Sequence, residues 1–139
     1  MTSVSQQFTL GKDERLKSRK QIDQLFAEGK SFSINPFRVY YVLNGEGSKV
    51  NELQVGIGVG AKNFKKAVDR NRIKRLTREA WRLQKNELKE KLKANNKQLN
   101  VFFIYTGKEL PDFKIVKDKV AVALKKLADK IDENISANP

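Results

Sequence analysis

Apolar and polar positions along this chain follow two rhythms, a helical one of about 3.6 residues and an extended one of 2, and the switches between them outline its elements. Ser18-Arg19-Lys20-Gln21 has the spacing of a capping box, with Ser18 accepting from the helix amides and Gln21 reaching back. Ile22, Leu25 and Phe26 continue as an apolar stripe, and Gly29 suits the left-handed position that ends a helix. Phe32 to Leu43 reads as extended chain interrupted at Pro36, so pairing there is expected at an edge or around a bulge. Asn44-Gly45-Glu46-Gly47 is a turn. Leu53, Val55, Ile57 and Val59 then alternate with Gln54, Gly56, Gly58 and Gly60, which predicts a strand with one apolar and one nearly bare face. The bare face fits two readings equally, a tightly packed or bent strand and a shallow surface that a ligand backbone can approach.

A long helix is expected from about Val68 to Leu92, followed by an apolar strand from Val101 to Tyr105 that ends at Gly107. The last helix should start near Pro111-Asp112 with Asp112 as its cap, carrying Val116, Val120, Leu124, Leu127 and Ile131 on one stripe. The order helix, two or three strands, helix, strand, helix describes an α/β (α+β) sandwich, one central sheet covered by helices. Residues 1–9 read as a loose polar arm, residues 10–135 as a single domain and residues 136–139 as a frayed tail.

Composition adds a sign to this frame. The 139 residues carry 29 Lys and Arg against 16 Asp and Glu, a net charge of +13, which draws polyanions. Cysteine and histidine are both absent. That excludes a disulfide framework, a zinc finger, and catalysis by a His base or a Cys or Ser–His nucleophile. No apolar run approaches the roughly 20 residues of a membrane span, and Met1 to Phe8 has no signal-peptide core. A soluble, cytoplasmic protein is expected.

The charge is concentrated. Lys62 to Lys93 holds thirteen basic residues against four acidic ones, Asp69, Glu79, Glu87 and Glu90. At about 100° per residue, Ile73, Leu76, Ala80 and Leu83 form one narrow stripe toward the core. Asn71, Lys74, Arg75, Arg78, Arg82, Lys85 and Lys89 fall within about 50° of the opposite direction, with Arg70 and Arg72 at its entry. A merely solvated helix face interleaves signs in i,i+4 pairs, whereas this one stacks like charges turn upon turn. An anionic partner relieves that repulsion, and guanidinium groups bind phosphate in bidentate fashion and stack on bases.

The run Lys66-Ala67-Val68-Asp69-Arg70-Asn71-Arg72-Ile73-Lys74-Arg75, followed by Arg78-Glu79, resembles the arginine–asparagine–arginine signature of the bacterial ribonuclease P protein subunit. The strand Val55-Gly56-Ile57-Gly58-Val59 and a basic loop precede it, as in that family, and the resemblance extends from about Leu10 to Leu127. It implies a central sheet whose parallel strands are joined through the signature helix by a left-handed crossover, against the general statistics of such connections. It also implies an accessory subunit of a tRNA-processing endoribonuclease. The partner RNA, with magnesium as cofactor, does the cutting that removes the 5′ leader from precursor tRNA.

Carried over by residue, the resemblance assigns Arg70, Asn71, Arg72, Lys74, Arg75 and Arg78 to the catalytic RNA, and Arg82 joins them as an RNA-binding candidate from its place on the same helix face. Lys62, Lys65 and Lys66 are further candidates for RNA phosphates, with a solvated loop nearly as good an account. Arg15, Ile22, Phe26 and Tyr40 match a cleft for the single-stranded leader, where aromatic rings stack on bases. Ile22 stands where many relatives have Phe and offers no π-face, so it also reads as core, as Phe26 does. No catalytic residue and no protein metal site are expected, since the carboxylates show no ligand spacing and Asp69 suits the helix N-terminus instead. A ribosomal or general RNA-chaperone protein is the alternative that composition fits equally well. A major-groove DNA reader lacks the preceding short turn and helix, and a membrane-surface helix would give up apolar residues the sheet needs.

Overall fold

The computed structural model describes residues 14–44 and 52–137. Elements run in the order α1 (Arg19–Glu28), β1 (Lys30–Ile34), β2 (Phe37–Asn44), β3 (Leu53–Val59), α2 (Ala67–Gln84), α3 (Asn86–Ala94), β4 (Gln98–Tyr105) and α4 (Phe113–Ala137). The arm expected over residues 1–9 and most of the turn after Asn44 lie outside the described residues. Of the expected tail, residues 136 and 137 continue α4.

The four strands form one mixed sheet in the order β1-β2-β4-β3. β2 lies antiparallel to β1 and β4, while β3 and β4 are parallel, as a connection through α2 and α3 requires. The expected extended run is divided at Pro36 into the edge strand β1 and β2, and Pro36 makes no bulge. It occupies, with Asn35, the tight turn of the β1–β2 hairpin, where Ile34 pairs with Phe37. A missing amide donor costs nothing in such a turn. Thr106 secures the turn by donating from its backbone N–H to the Pro36 carbonyl at 2.8 Å.

Strand alternation sorts the sheet into two faces. Phe37, Val39, Tyr41, Val55, Val101 and Phe103 point to one side and are buried with Ile73, Ala80 and Trp81 of α2 and Val116, Val120, Leu124, Leu127 and Ile131 of α4. The α4 stripe read from the sequence is therefore the core stripe. Trp81 meets Phe103 edge-on, with ring centroids 5.5 Å apart. Each fully buried side chain of this size contributes on the order of 1.5–3 kcal/mol by leaving water. Thr77 and Trp81 widen the expected stripe of α2, and Leu76 and Leu83 are only half-buried. The Thr77 hydroxyl is accommodated because it donates to the Ile73 carbonyl at 2.8 Å.

The opposite face carries α1. Ser18 caps it as expected, its hydroxyl oxygen accepting from the Gln21 N–H at 3.3 Å. Gly29 ends it differently, in an extended conformation with φ −77° and ψ 164°. Crowding explains the glycine, since a Cβ there would stand 2.3 Å from the Leu25 carbonyl and 2.9 Å from that of Tyr41. The expected long helix from Val68 to Leu92 is two helices that meet at Lys85, the C-cap of α2 and the N-cap of α3. No proline or glycine marks the break. The change of direction turns Leu88 and Leu92 of α3 into the core.

Candidate nucleic-acid interface

The basic segment begins in the loop that leads from β3 into α2. Lys62, Lys65 and Lys66 are exposed there, and Lys66 is the N-cap of α2 without a side-chain cap bond. Asp69 in the first turn complements the positive end of the helix. Asn71, Arg72 and Arg75 are exposed, and Lys74, Arg78 and Arg82 are half-buried, so these members of the signature share the outer surface of α2. Arg70 has different work. Its guanidinium donates to the carbonyls of Phe64 at 2.7 Å and Lys65 at 2.8 Å, which folds the loop back onto the helix. Lys85, expected on the outer stripe, is instead buried at the α2–α3 junction, its ammonium paired with Glu14.

Arg15, Arg75, Arg78, Glu79 and Arg82 surround a shallow hollow of about 270 Å³. Arg82 forks onto Glu79, with Nε 3.0 Å from Oε1, and this bond holds the Glu79 carboxyl below the ordinary carboxylate value. Burial, and then the Arg15 cation, lower the Arg78 pKa. Four guanidinium groups with one carboxylate thus leave the hollow cationic, a setting in which phosphate oxygens accept charge-assisted hydrogen bonds. Sequence reading placed Arg15 in a cleft with Ile22, Phe26 and Tyr40. The fold brings Arg15 to the arginines of α2.

The aromatic surface lies on the α1 face of the sheet. Phe26, 40% exposed, stands with its ring 4.9 Å from Tyr40 and 5.2 Å from Phe102, both contacts edge-on. Ile22 is half-buried on the same helix. Sheet register places Ser31, Tyr40, Phe102 and Gly56 in one row, and Ser33, Arg38, Ile104 and Gly58 in the next. The bare face of β3 is thereby explained: a Cβ on Gly56 would lie 2.6 Å from the Phe102 ring, and one on Gly58 3.0 Å from it. Of the two readings the sequence left open, tight packing is the one seen, and the ligand that fills the space is the chain's own Phe102.

Two residues of this surface escaped the sequence reading. Phe102 sat within a run of five apolar residues whose alternation is invisible until burial separates it from Val101 and Phe103. Arg38 shares a face with Tyr40 by simple alternation, a signal that was available. Its guanidinium lies 5.7 Å from the centre of the Tyr40 ring and donates to the Tyr40 hydroxyl at 3.2 Å and to Ser33 at 3.2 Å.

Among the described residues, no group of three or more Asp or Glu could hold a metal ion, and no helix is long and apolar enough to cross a membrane.

Comparison with known proteins places this geometry. The model of the family described as Ribonuclease P matches residues 10–128. A ribonuclease P protein component of Porphyromonas gingivalis is 37% identical over 131 residues, covering 94% of this chain and 95% of that protein. The ribonuclease P protein from Thermotoga maritima, a solved structure, is 31% identical, with a TM-score of 0.62 over 81% of this chain and 96% of its own. The Staphylococcus aureus protein has the same fold at 22% identity, with a TM-score of 0.64 over 82% of this chain and 94% of its own. The family match runs from residue 10 to residue 128, the fold is shared with solved relatives, and the chain belongs to the ribonuclease P protein family.

Proposed function

We propose that this chain is the accessory, non-catalytic subunit of a ribonuclease P holoenzyme, holding the catalytic RNA on α2 and the 5′ leader of precursor tRNA on the α1 face of the sheet. The observation that carries the reading is the separation of two chemically different surfaces. On α2 the arginines offer charge and planar donors suited to phosphates, which position RNA without reading its sequence. Between α1 and the sheet, Phe26, Tyr40 and Phe102 offer ring faces and edges beside one cation, Arg38. That combination suits an unpaired strand, where each stacked base is worth about 1–3 kcal/mol whatever its identity.

In this division of labour the chain does no bond making. In this reading the magnesium acts with the RNA subunit. The protein's part is to raise the effective concentration of the leader at the RNA's cutting centre, since one body grips both. Arg70 contributes by keeping the basic loop folded against the helix that carries the signature.

Leader dependence tests this. Precursor tRNA with its leader should bind the holoenzyme more tightly than leaderless tRNA, and the difference should shrink when Phe26 is replaced by Ala. If the RNA subunit alone shows the same leader preference, the cleft has no such role. The RNA-free chain should leave precursor tRNA intact. A mutant of the Staphylococcus aureus protein is described as defective in mRNA degradation, so that control should include mRNA as well. Cleavage proportional to RNA-free protein would end the accessory reading.

A further inference from the structure

Glu14, the partner of Lys85, joins the start of the domain to the α2–α3 junction. Glu14 is buried, its side chain 8% exposed, in the most basic part of the protein. Its carboxylate accepts from the ammonium of Lys85 and, at 3.3 Å, from that of Lys89. These partners lie 71 and 75 residues further along the chain, and Lys85 is the hinge residue between α2 and α3. Two positions on, Leu16 is buried and its N–H donates to the Val55 carbonyl at 2.8 Å. Arg15 is thus held from both sides, by an ion pair before it and a strand-edge bond after it, with only its own side chain exposed.

We propose that Glu14 is a positioning residue for Arg15: it latches the N-terminal segment to the α2–α3 junction and so keeps Arg15 beside Arg75, Arg78 and Arg82. The inference rests on the reading of that hollow as a phosphate contact and adds a residue to it. The chemistry supports a latch over a stabiliser. Like charges repel, so a free cationic segment would swing Arg15 away from three other guanidinium groups and spend its backbone freedom in solution. A buried ion pair adds little net stability over apolar packing, and its best-attested use is to fix register. Burial lowers the Lys85 pKa despite the pull of Glu14.

Charge alone predicts the opposite sign of effect, and that makes the test sharp. Removing an anion beside a cationic surface should strengthen RNA binding, whereas removing a latch should weaken it. Binding of the catalytic RNA would be measured across a salt series for the wild type, Arg15→Ala, Glu14→Gln and the double variant, with circular dichroism confirming the fold. Arg15→Ala should lower the slope of log affinity against log salt by about 0.7–0.9, one phosphate contact. Glu14→Gln should lower it by the same amount, and the double variant should fall no further. If Arg15→Ala weakens binding while Glu14→Gln binds as well as wild type or better, the latch is wrong and the hollow stands. If Arg15→Ala changes nothing, the hollow reading fails and takes the latch with it. Should Glu14→Gln not fold, amide relaxation of the wild type decides. The order parameter of Arg15 should be near ~0.85, and a value below about 0.6 with Glu14 intact refutes the latch.

Discussion

Replacing Gly56 with Ala probes the floor of the aromatic cleft without touching a ring. The new Cβ would meet two carbons of the Phe102 ring at 2.6 and 2.7 Å and the Leu16 carbonyl at 3.3 Å. Ordinary contact begins near 3.4 Å, so the ring must retreat by about 0.8 Å, although it is already packed edge-on against Phe26 with centroids 5.2 Å apart. Overpacking of this kind costs about 1–3 kcal/mol, and the gain of a strand alanine over glycine returns about 0.5–1 kcal/mol. The net loss should be about 1–2 kcal/mol, a fall in Tm of roughly 3–10 °C for a domain of this size. Two neighbours calibrate the result. At Gly58 the nearest ring atom is 3.0 Å away and at Gly60 the nearest atom of any kind is at 4.0 Å, so Gly58→Ala should cost less and Gly60→Ala nothing measurable. Thermal melts followed by circular dichroism give the three values. A Gly56→Ala protein as stable as wild type, or a reversed order across the three sites, would show that Phe102 is not held against β3 as described.

Phe26→Ala should reduce holoenzyme affinity for leader-bearing precursor by about 1–3 kcal/mol while Phe26→Leu, which keeps bulk without a π-face, recovers stability but not affinity; equal affinity for both variants and wild type in a binding titration would refute stacking there. Arg75→Ala with Arg78→Ala should weaken assembly with the catalytic RNA and lower its log–log salt slope by about 0.9 per lost contact, with the melt unchanged. An unaltered slope would remove that face of α2 from the interface. Tyr41 and Tyr105 should ionise above the ordinary tyrosine value of 10.0, chiefly because burial disfavours the phenolate. Since their folded pKa values exceed the unfolded one, the stability they contribute is complete below pH 10.0 and is lost as pH rises through the folded values. An ultraviolet titration in which Tyr41 and Tyr105 ionise at 10.0 would contradict the burial of these two.

Local signals in the sequence carried much of this fold. Ser18 and Asp112 cap helices because a short polar side chain before an apolar stripe has few other uses, and Asp112 indeed accepts from the Ile115 N–H at 3.0 Å. The stripe of α4 and the alternation of β3 were legible because one face of each meets the core. The break at Lys85 was not, since it depends on where Leu88 and Leu92 must go and on a carboxylate 71 residues away. Gly29 looked like a left-handed cap and proved to be a clearance between two carbonyls. At the candidate site the charge pattern marked α2, but the same residue type serves different ends there. Arg70 folds a loop, Arg82 binds Glu79, and Arg75 faces solvent, distinctions that rest on neighbours in space. Composition left a general RNA chaperone open, and it was the signature, an ordered string of residues, that separated the two.

Cleavage of precursor tRNA at low magnesium, by a bacterial ribonuclease P RNA alone and with this chain added, tests the proposed function most directly. Multiple-turnover release of the leader at the mature 5′ end, seen only with the chain present and reduced by Phe26→Ala, is the predicted result. Binding of the RNA with no change in cleavage would contradict it.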